Sequence, residues 1–309
     1  MTERPPTSPR PITLLAPAKV NLALSVGAPD ASGMHAIASW MVAIDFGDTL
    51  VAEPDDSATD LTLRYADDAP RPEPIDWPLD RDLAFHAWRA LEQAVGRSLP
   101  ARITLDKRIP TGAGLGGGSS DAAATLVALD ALHRLNQPTQ ALADIAATLG
   151  SDIPFLVHAL RGTPAMLATG LGHTLTPAPL AQPVHLVLVL PDCKCPTGPV
   201  YAAFDQALAN TNVAPPADEP RVRNLIDNQP LTTGHALFND LAAPAAEVTP
   251  ALRDAIAQTQ QAAPDTPVQV SGSGSTLYLV APSKTHAADL AAALRDAGLT
   301  AVPAASLTG

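Results

Sequence analysis

The sequence predicts an α+β protein with two lobes, and three observations support this class. Polar and apolar residues alternate along residues 13–26, and further short runs of this kind follow before residue 65, as is typical of strands. A glycine-rich segment from Pro110 to Ala124 then leads into alanine-rich sequence with helical character. After a proline-rich stretch at residues 177–183, the strand and helix pattern starts again, so we expect a second α/β sandwich there.

The first half of the chain is expected to supply most of the strands. The alternation at 13–26 predicts a half-buried strand that carries Lys19 and Asn21 on one face. A second strand at 36–45 is expected to end in a turn at Phe46-Gly47-Asp48. Further expected strands are 49–52, 61–65 and 102–105, and expected helices are 83–95, 121–135, 139–149 and 151–160, with Gly150 ending the third of these helices.

The second half is expected to alternate strands with helices. A hairpin is expected within 163–175, and the expected strands are 184–190, 268–270, 276–280 and a short last strand. The expected helices are 200–208, 237–246, 250–262 and 283–297. The stretch 210–230 is polar and proline-rich, which favours a mobile loop. Residues 1–12 are expected to form a disordered tail, because this segment is polar and rich in proline.

Composition excludes several classes of function. No apolar run is long enough to span a bilayer, and the N-terminus lacks the apolar segment of a secretory signal, so we expect a cytoplasmic protein. The net charge of −12 argues against a nucleic-acid partner. Cys193 and Cys195 are too close in sequence to pair well and too few for a zinc site, so we expect reduced thiols.

The segment from Pro110 to Ala124 reads PTGAGLGGGSSDAAA and predicts a phosphate site. Glycine allows positive φ and lets a ligand approach the main chain closely. The following helix directs unpaired N–H groups and its positive dipole end toward the loop, which suits an anion. We expect Ser119 or Ser120 to cap this helix, with Asp121 in its first turn.

Two better-known phosphate loops do not fit this segment. A Walker A loop ends in Gly-Lys-Ser/Thr, whereas Gly118 is followed by two serines. The glycines between Gly112 and Gly117 satisfy GxGxxG, but residues 106–111 separate them from the expected strand. Asp130, the acid at a suitable distance, lies in helical sequence rather than at the end of a strand. A Rossmann site is therefore excluded.

Four segments, in order, resemble signatures of the GHMP kinase superfamily, which includes homoserine kinase and mevalonate kinase. They are Pro17-Ala18-Lys19-Val20-Asn21-Leu22, the glycine segment, Leu149-Gly150-Ser151-Asp152-Ile153-Pro154-Phe155 and Ser271-Gly272-Ser273-Gly274-Ser275-Thr276. The resemblance covers residues 14–297. It implies the two-lobed GHMP kinase fold, with an N-terminal lobe like ribosomal S5 domain 2 and a ferredoxin-like α/β C-terminal lobe. Residues 13–180 would form the ATP-binding and catalytic lobe, and 181–309 the substrate-binding lobe.

The best-fitting branch of this family phosphorylates the 2-hydroxyl of 4-diphosphocytidyl-2-C-methyl-D-erythritol, a small molecule of the non-mevalonate isoprenoid route, at the expense of ATP. The resemblance implies that Asp152 is the general base and that Lys19 lies beside it and neutralises charge on the transferred phosphoryl group. Asn21 would orient the hydroxyl or the aspartate. Mg²⁺ is expected as the phosphate counter-ion, with Ser120 as a candidate ligand. We expect a monomer or a homodimer.

The same resemblance implies the residues that bind the two nucleotides. His35 and Tyr201 would meet the cytosine ring, together with Met34, which stands where the family usually has tyrosine. The ATP phosphates would bind along Pro110, Gly112, Gly114, Leu115, Gly116, Gly117, Gly118, Ser119 and Ser120.

Some alternatives stay open at the level of sequence. Asp152 alone is more typical of a helix N-cap before Pro154, and Lys19 alone of an exposed strand lysine. Lys107 and Arg108 are either solvated charges or part of a phosphate-facing patch. Two rival functions also remain, a different GHMP substrate such as homoserine or mevalonate, and a catalytically silent nucleotide sensor.

Overall fold

The structure is a computed structural model that describes residues 10–57, 59–209, 215–229 and 231–309. Its strands are β1 (Ile12–Pro29), β2 (His35–Pro54), β3 (Thr59–Tyr65), β4 (Ala101–Lys107), β5 (Ala165–Gly170), β6 (Thr174–Pro177), β7 (His185–Val189), β8 (Phe238–Asn239), β9 (Gln269–Val270), β10 (Leu277–Ala281) and β11 (Ala301–Ala305). Its helices are α1 (Leu83–Val95), α2 (Gly117–Leu132), α3 (Thr139–Ala147), α4 (Ile153–Leu160), α5 (Thr197–Ala209), α6 (Glu219–Asp227), α7 (Ala242–Val248), α8 (Pro250–Ala262) and α9 (Lys284–Asp296).

The strands form two sheets. The larger sheet has the order β3-β4-β2-β1-β8, with β5 paired to β2 and β6 paired to β5. The long strand β2 pairs with β5 through its first half and with β4 through its second half. The smaller sheet has the order β11-β7-β10-β9. The strands up to residue 177 belong to the larger sheet, and those from residue 185 onward belong to the smaller sheet, except for β8, which joins the larger one. The lobe boundary at residue 180 stays a prediction.

Strand β1 is buried on both faces from Ala16 to Gly27, so the expectation of a half-buried strand is wrong. Leu50, Trp88 and Phe155 belong to a core between the larger sheet and its helices. On the other face, Val20 belongs to a core shared with residues of the smaller sheet, such as Tyr278. Alternation in the sequence identified the strand, but it could not show that apolar layers cover both sides.

Four other expectations need correction. Residues 46–48 form no turn, because β2 continues through them with a register shift opposite Pro17 and Lys19. Within 210–230 the described residues include α6, which Asp218 caps by accepting a hydrogen bond from Arg221 N, while residues 210–214 and 230 lie outside the described part. Phe238–Asn239 is a short strand parallel to β1 rather than the start of a helix. Strand β1 begins at Ile12, inside the expected tail, of which residues 1–9 are not described.

Candidate active site

A cleft of about 740 Å³ lies where β1, the glycine loop, the start of α4 and the smaller sheet's 271–276 turn meet. Its walls include Lys19, Asn21 and Asp152 at one end, and Met34, His35 and Tyr201 at the other. The structure therefore brings together the residues that the sequence assigned to chemistry and to the cytidine end.

Lys19 and Asn21 are held rigidly on the wall of this cleft. Both are more than nine-tenths buried, and the Lys19 ammonium donates to Asn21 Oδ1 at 2.8 Å. Asn21 Nδ2 donates at 2.7 Å to Ser39 Oγ, which itself donates to the Ala23 carbonyl. This chain of donors fixes the orientation of the amide, with its oxygen turned toward Lys19. Lys19 is not an exposed strand lysine.

Asp152 faces Lys19 across the cleft. Its Oδ2 atom lies 3.5 Å from the Lys19 ammonium, and about a third of its side chain is exposed. Asp152 occupies the N-cap position of α4, but its side chain accepts no capping hydrogen bond. Capping therefore does not explain this residue, whose carboxylate lines the cleft.

The glycine loop connects β4 to α2 and presents a row of amides. Gly112, Gly114 and Gly116 adopt φ of 70°, 76° and 71°, a conformation that favours glycine. Helix α2 begins at Gly117, and its first i→i−4 bond runs from Ser120 N to Gly116 O. The amides of residues 117–119 thus precede the helical bonds and carry the positive end of the helix dipole, which suits phosphate.

Backbone contacts fasten this loop to both sheets. Lys19 N donates to the Leu115 carbonyl, and Thr276 N donates to the Ala113 carbonyl. A Cβ at Gly114 would lie 2.4 Å from the Ser271 carbonyl oxygen, so only glycine fits there. A Cβ at Gly116 would lie 3.1 Å from Cγ of Lys19. The tight packing places the loop directly against the lysine.

The structure changes the expected roles of the two serines. The N-cap of α2 is Gly116, so Ser119 and Ser120 lie inside the first turn, because glycine supplies the positive φ that starts the helix. Ser120 is fully buried and its hydroxyl donates to the Pro17 carbonyl at 2.7 Å. That contact uses the hydroxyl proton and holds Ser120 against β1, and its role as a metal ligand stays a prediction. Pro110 and Leu115 are buried behind the loop.

The side chains of the cleft fit a cation whose ligands come mainly from bound phosphates, and not one that is coordinated by protein side chains alone. Among the residues that the structure describes, no three His, Cys, Asp or Glu side chains are grouped to hold a metal. Mg²⁺ commonly binds through phosphates, waters and one or two protein ligands, so it needs no such group. Lys19 is also the one Lys or Arg in the described lining of the cleft, so a phosphate bound there would meet a single cationic side chain.

At the other end of the cleft, His35 is packed against α5. Its ring centroid lies 4.8 Å from that of Tyr201, and its Nδ1 atom lies 2.9 Å from the Gly27 carbonyl oxygen. Met34 is 51% exposed and borders the cleft beside His35. Met34 and Tyr201 thus line the same cleft, and their contact with a cytosine ring stays a prediction.

Two cleft residues were missed by sequence analysis. Asp205 lies four residues after Tyr201 on α5, hence on the same helix face, and its Oδ1 atom is 3.5 Å from His35 Nε2. Helical spacing from Tyr201 could have identified it. Cys195 also lines the cleft and, like Cys193, is a free thiol as expected. Burial raises the pKa of the Cys195 thiol.

Lys107 is neither solvated nor directed at phosphate. It is buried between Asp48 and Asp121, donating to Asp48 Oδ2 at 2.7 Å and also to Asp121. Burial lowers the pKa of Lys107, but the Asp121 and Asp48 carboxylates raise it further, and the net shift is upward. Burial raises the pKa of Asp121. Arg108 pairs with Asp68 on the surface, so both cations serve the scaffold beneath the glycine loop.

Known proteins resemble this chain over nearly its whole length. Residues 82–159 match the GHMP kinases N terminal domain and residues 222–299 the GHMP kinases C terminal domain. The 4-diphosphocytidyl-2-C-methyl-D-erythritol kinase of Thermobifida fusca is 36% identical over 95% of this chain and 94% of its own. That of Caulobacter sp. (strain K31) is 39% identical over 89% of this chain and 91% of its own.

Solved structures agree. A crystal structure of 4-(cytidine 5'-diphospho)-2C-methyl-D-erythritol kinase superposes with a TM-score of 0.75 at 32% identity, covering 96% of this chain and all of that one. A homoserine kinase from Cytophaga hutchinsonii superposes with a TM-score of 0.66 at 17% identity, covering all of this chain and 97% of its own, which shows the shared fold alone. The predicted α+β, two-lobed fold is confirmed. The chain belongs to the GHMP kinases, in the family of 4-diphosphocytidyl-2-C-methyl-D-erythritol kinases.

Proposed function

We propose that this protein transfers the γ-phosphoryl group of ATP to the 2-hydroxyl of 4-diphosphocytidyl-2-C-methyl-D-erythritol. The observation that carries the proposal is the Lys19–Asp152 pair, which lies in one cleft with the glycine loop and the His35–Tyr201 end. Relatives at 36% and 39% identity carry the name of this kinase. The Lys19–Asp152 pair argues against a catalytically silent nucleotide sensor. The names of the relatives argue against homoserine or mevalonate as the substrate.

In this proposal Asp152 accepts the proton of the substrate hydroxyl as the oxygen attacks phosphorus. An alcohol is a weak nucleophile, and a positioned base contributes about 10²–10⁴-fold to its reaction. Lys19, 3.5 Å from Asp152, stabilises charge that develops on the transferred group. Asn21 holds the ammonium in place through its side-chain oxygen. Transfer is direct and in line, without a phosphoenzyme.

The amides of Gly117, Gly118 and Ser119 hold the phosphates of ATP at the start of α2. Mg²⁺, when bound, neutralises phosphate charge. The phosphates would be its main ligands, and the hydroxyls of Ser119 and Ser120 at the start of α2 are the candidate protein ligands.

The wider setting of this activity also belongs to the proposal. Within the described residues, no helix has the length and apolar character that crossing a membrane requires. A cytoplasmic location, a monomeric or homodimeric state and the lack of a nucleic-acid partner stay predictions from composition and charge.

The test is ADP release with ATP, Mg²⁺ and each of three acceptors, 4-diphosphocytidyl-2-C-methyl-D-erythritol, mevalonate and homoserine. We expect turnover with the first acceptor alone, and a ³¹P spectrum of its product with a new phosphomonoester at the 2-position. Turnover with mevalonate or homoserine instead would assign a different substrate. ATP binding without turnover on any of the three would favour a silent sensor.

A further inference from the structure

Three buried charged residues meet beneath the glycine loop. Asp48 on β2, Lys107 at the end of β4 and Asp121, the fifth residue of α2, are each less than 5% exposed. The Lys107 ammonium donates to Oδ2 of Asp48 at 2.7 Å and also to Oδ2 of Asp121. We call these three residues the Lys107 cluster. Among the described residues that line the cleft, none belongs to this cluster, so it is not itself a contact surface for a ligand there.

The Lys107 cluster joins the two ends of the glycine loop. Residues 108–116 lie between β4 and α2, so the bond from Lys107 to Asp121 links the residue before the loop to the helix after it. Oδ1 of Asp48 accepts from Ile109 N at 2.8 Å and from Arg108 N, which are the first two amides of the loop. The start of the loop and the helix that follows it are therefore fixed to the same strand, β2.

The position of α2 decides how well its first amides can bind phosphate. Asp121 lies within one or two turns of the amides of residues 117–119, and all of them belong to one rigid helix. A shift of the helix at Asp121 therefore moves the three amides together. Hydrogen bonds weaken steeply when their distance or angle departs from the optimum, so such a shift would reduce the affinity for a phosphate group.

We propose that Asp121 is a positioning residue for ATP, which acts through the Lys107 cluster by holding the start of α2 against the base of the glycine loop. The inference rests on the proposed function, which supplies ATP as the ligand. Asp121 contributes no contact to the nucleotide in this assignment. Its hydrogen bond to Lys107 keeps the phosphate-binding amides where the loop needs them, as supporting residues do in preorganised sites.

The two aspartates of the Lys107 cluster differ in their hydrogen bonding. Asp48 has donors on both oxygens, whereas Oδ1 of Asp121 is buried and has no donor within the described structure. One ammonium between two buried carboxylates leaves one negative charge unbalanced, and burial raises the pKa of Asp121. The cluster therefore needs an acceptor for Lys107 at position 121, but not a second negative charge. Asparagine meets that need, which makes it a rescue variant at this position.

The experiment measures the affinity of the protein for ATP by calorimetry, with Mg²⁺ present and no acceptor. Asp121→Ala removes the link to Lys107, and we expect the affinity for ATP to fall by about tenfold, the loss that corresponds to one hydrogen bond to a charged group. Asp121→Asn keeps an acceptor for Lys107, and it should recover the affinity to within about threefold of the wild type.

Asp130→Ala is the matched control. Asp130 is a buried acid nine residues further along α2, where it pairs with Arg161 and accepts from Gln137 N. Its loss should lower the stability of the protein, as Asp121→Ala does, but leave the affinity for ATP unchanged, because Asp130 holds the opposite end of the helix. Thermal unfolding of each variant measures its stability and verifies that it is folded in the assay.

Two results would overturn the assignment. Equal affinities for ATP in Asp121→Ala and Asp130→Ala would leave Asp121 a purely structural residue. An Asp121→Asn protein that binds ATP as weakly as Asp121→Ala would mean that the charge at this position matters and the link to Lys107 does not. ATP binding that depends on Asp121, without transfer to any acceptor, would retain this inference and reject the proposed kinase activity. Transfer to the acceptor with equal affinities for ATP in the two alanine variants would do the reverse.

Discussion

The Nζ atom of Lys19 lies 3.5 Å from Oδ2 of Asp152, although one residue belongs to a central strand and the other to the start of a helix. The lysine is buried and also bound to Asn21, while the aspartate has part of its side chain open to the cleft. This arrangement gives the two residues different tasks. The lysine is fixed as a positive charge at the wall, and the carboxylate is the group that can meet a substrate hydroxyl.

Asp152→Asn should abolish most of the activity without unfolding the protein. The amide cannot accept the hydroxyl proton, so we expect kcat to fall by about 10²–10⁴-fold with a much smaller change in KM. The side chain makes no capping hydrogen bond, but its charge faces the buried Lys19, so the free energy of unfolding should fall by about 1–3 kcal/mol. Steady-state kinetics and urea unfolding measure both, with Asp289→Asn on the surface of α9 as control. Turnover that survives the change would assign the base elsewhere.

Met34→Tyr should tighten binding of the cytidine substrate. Met34 is 51% exposed beside His35, and an aromatic ring there could stack on the base opposite Tyr201. Such a pair contributes about 0.5–1.5 kcal/mol, so KM should fall by roughly 2- to 12-fold while kcat stays the same. Leu79→Tyr, at an exposed position outside the cleft lining, is the control. A rise in KM would show that the ring blocks the cleft instead.

Gly114→Ala and Gly112→Ala form a matched pair that separates backbone strain from steric overlap. Both glycines have positive φ, so each alanine costs about 1–2 kcal/mol from its backbone alone. At Gly112 the new methyl group would meet only the Lys194 side chain, at 3.7 Å. At Gly114 it would lie 2.4 Å from the Ser271 carbonyl oxygen and 2.7 Å from that of Gly274.

We therefore expect Gly114→Ala to lower the unfolding free energy clearly more than Gly112→Ala does, and to raise KM for ATP as the loop moves. Urea unfolding and ATP kinetics of the two variants, side by side, test this. Equal effects would mean that the turn at residues 271–276 yields readily and does not hold the loop in place.

The parts of the site that sequence predicted well are those defined by neighbours in sequence. Alternation located β1 with Lys19 and Asn21, and the glycines with the alanine-rich run located the start of α2 to within four residues. The partners of Lys107 could not be found in this way. Asp48 lies 59 residues away and Asp121 lies 14 away, and only the folded sheet brings all three together.

Tertiary contacts also explain the remaining misassignments. Phe238–Asn239 is a strand because it pairs with β1, a contact that local sequence does not encode. Helix α6 lies in a polar, proline-rich stretch that favoured a loop, although Asp218 and Pro220 are typical helix-start residues. In this segment capping chemistry outweighs the unfavourable composition.

Tyr278→Phe should change how stability depends on pH. Tyr278 is buried and its hydroxyl donates to the Asn21 carbonyl at 2.8 Å, so its loss should cost about 1–3 kcal/mol at pH 8. Burial raises the pKa of Tyr278 above its usual value. The unfolded chain releases the phenol proton near pH 10 while the folded protein keeps it, so the unfolded state binds fewer protons and stability falls as pH rises.

That contribution to the pH dependence is present in the wild type and absent in Tyr278→Phe. The deficit of the variant relative to the wild type should therefore shrink between pH 8 and pH 11, by up to about 1.4 kcal/mol for each unit above pH 10. The pKa of Lys107 is also raised, so its charge stabilises the fold below pH 10.5 and this stabilisation is lost as the pH rises further. Because this happens in both proteins, it cancels when the two are compared. Urea unfolding of both proteins at the two pH values gives the result. A deficit that does not change with pH would mean that the phenol ionises as readily in the folded protein as in the unfolded chain.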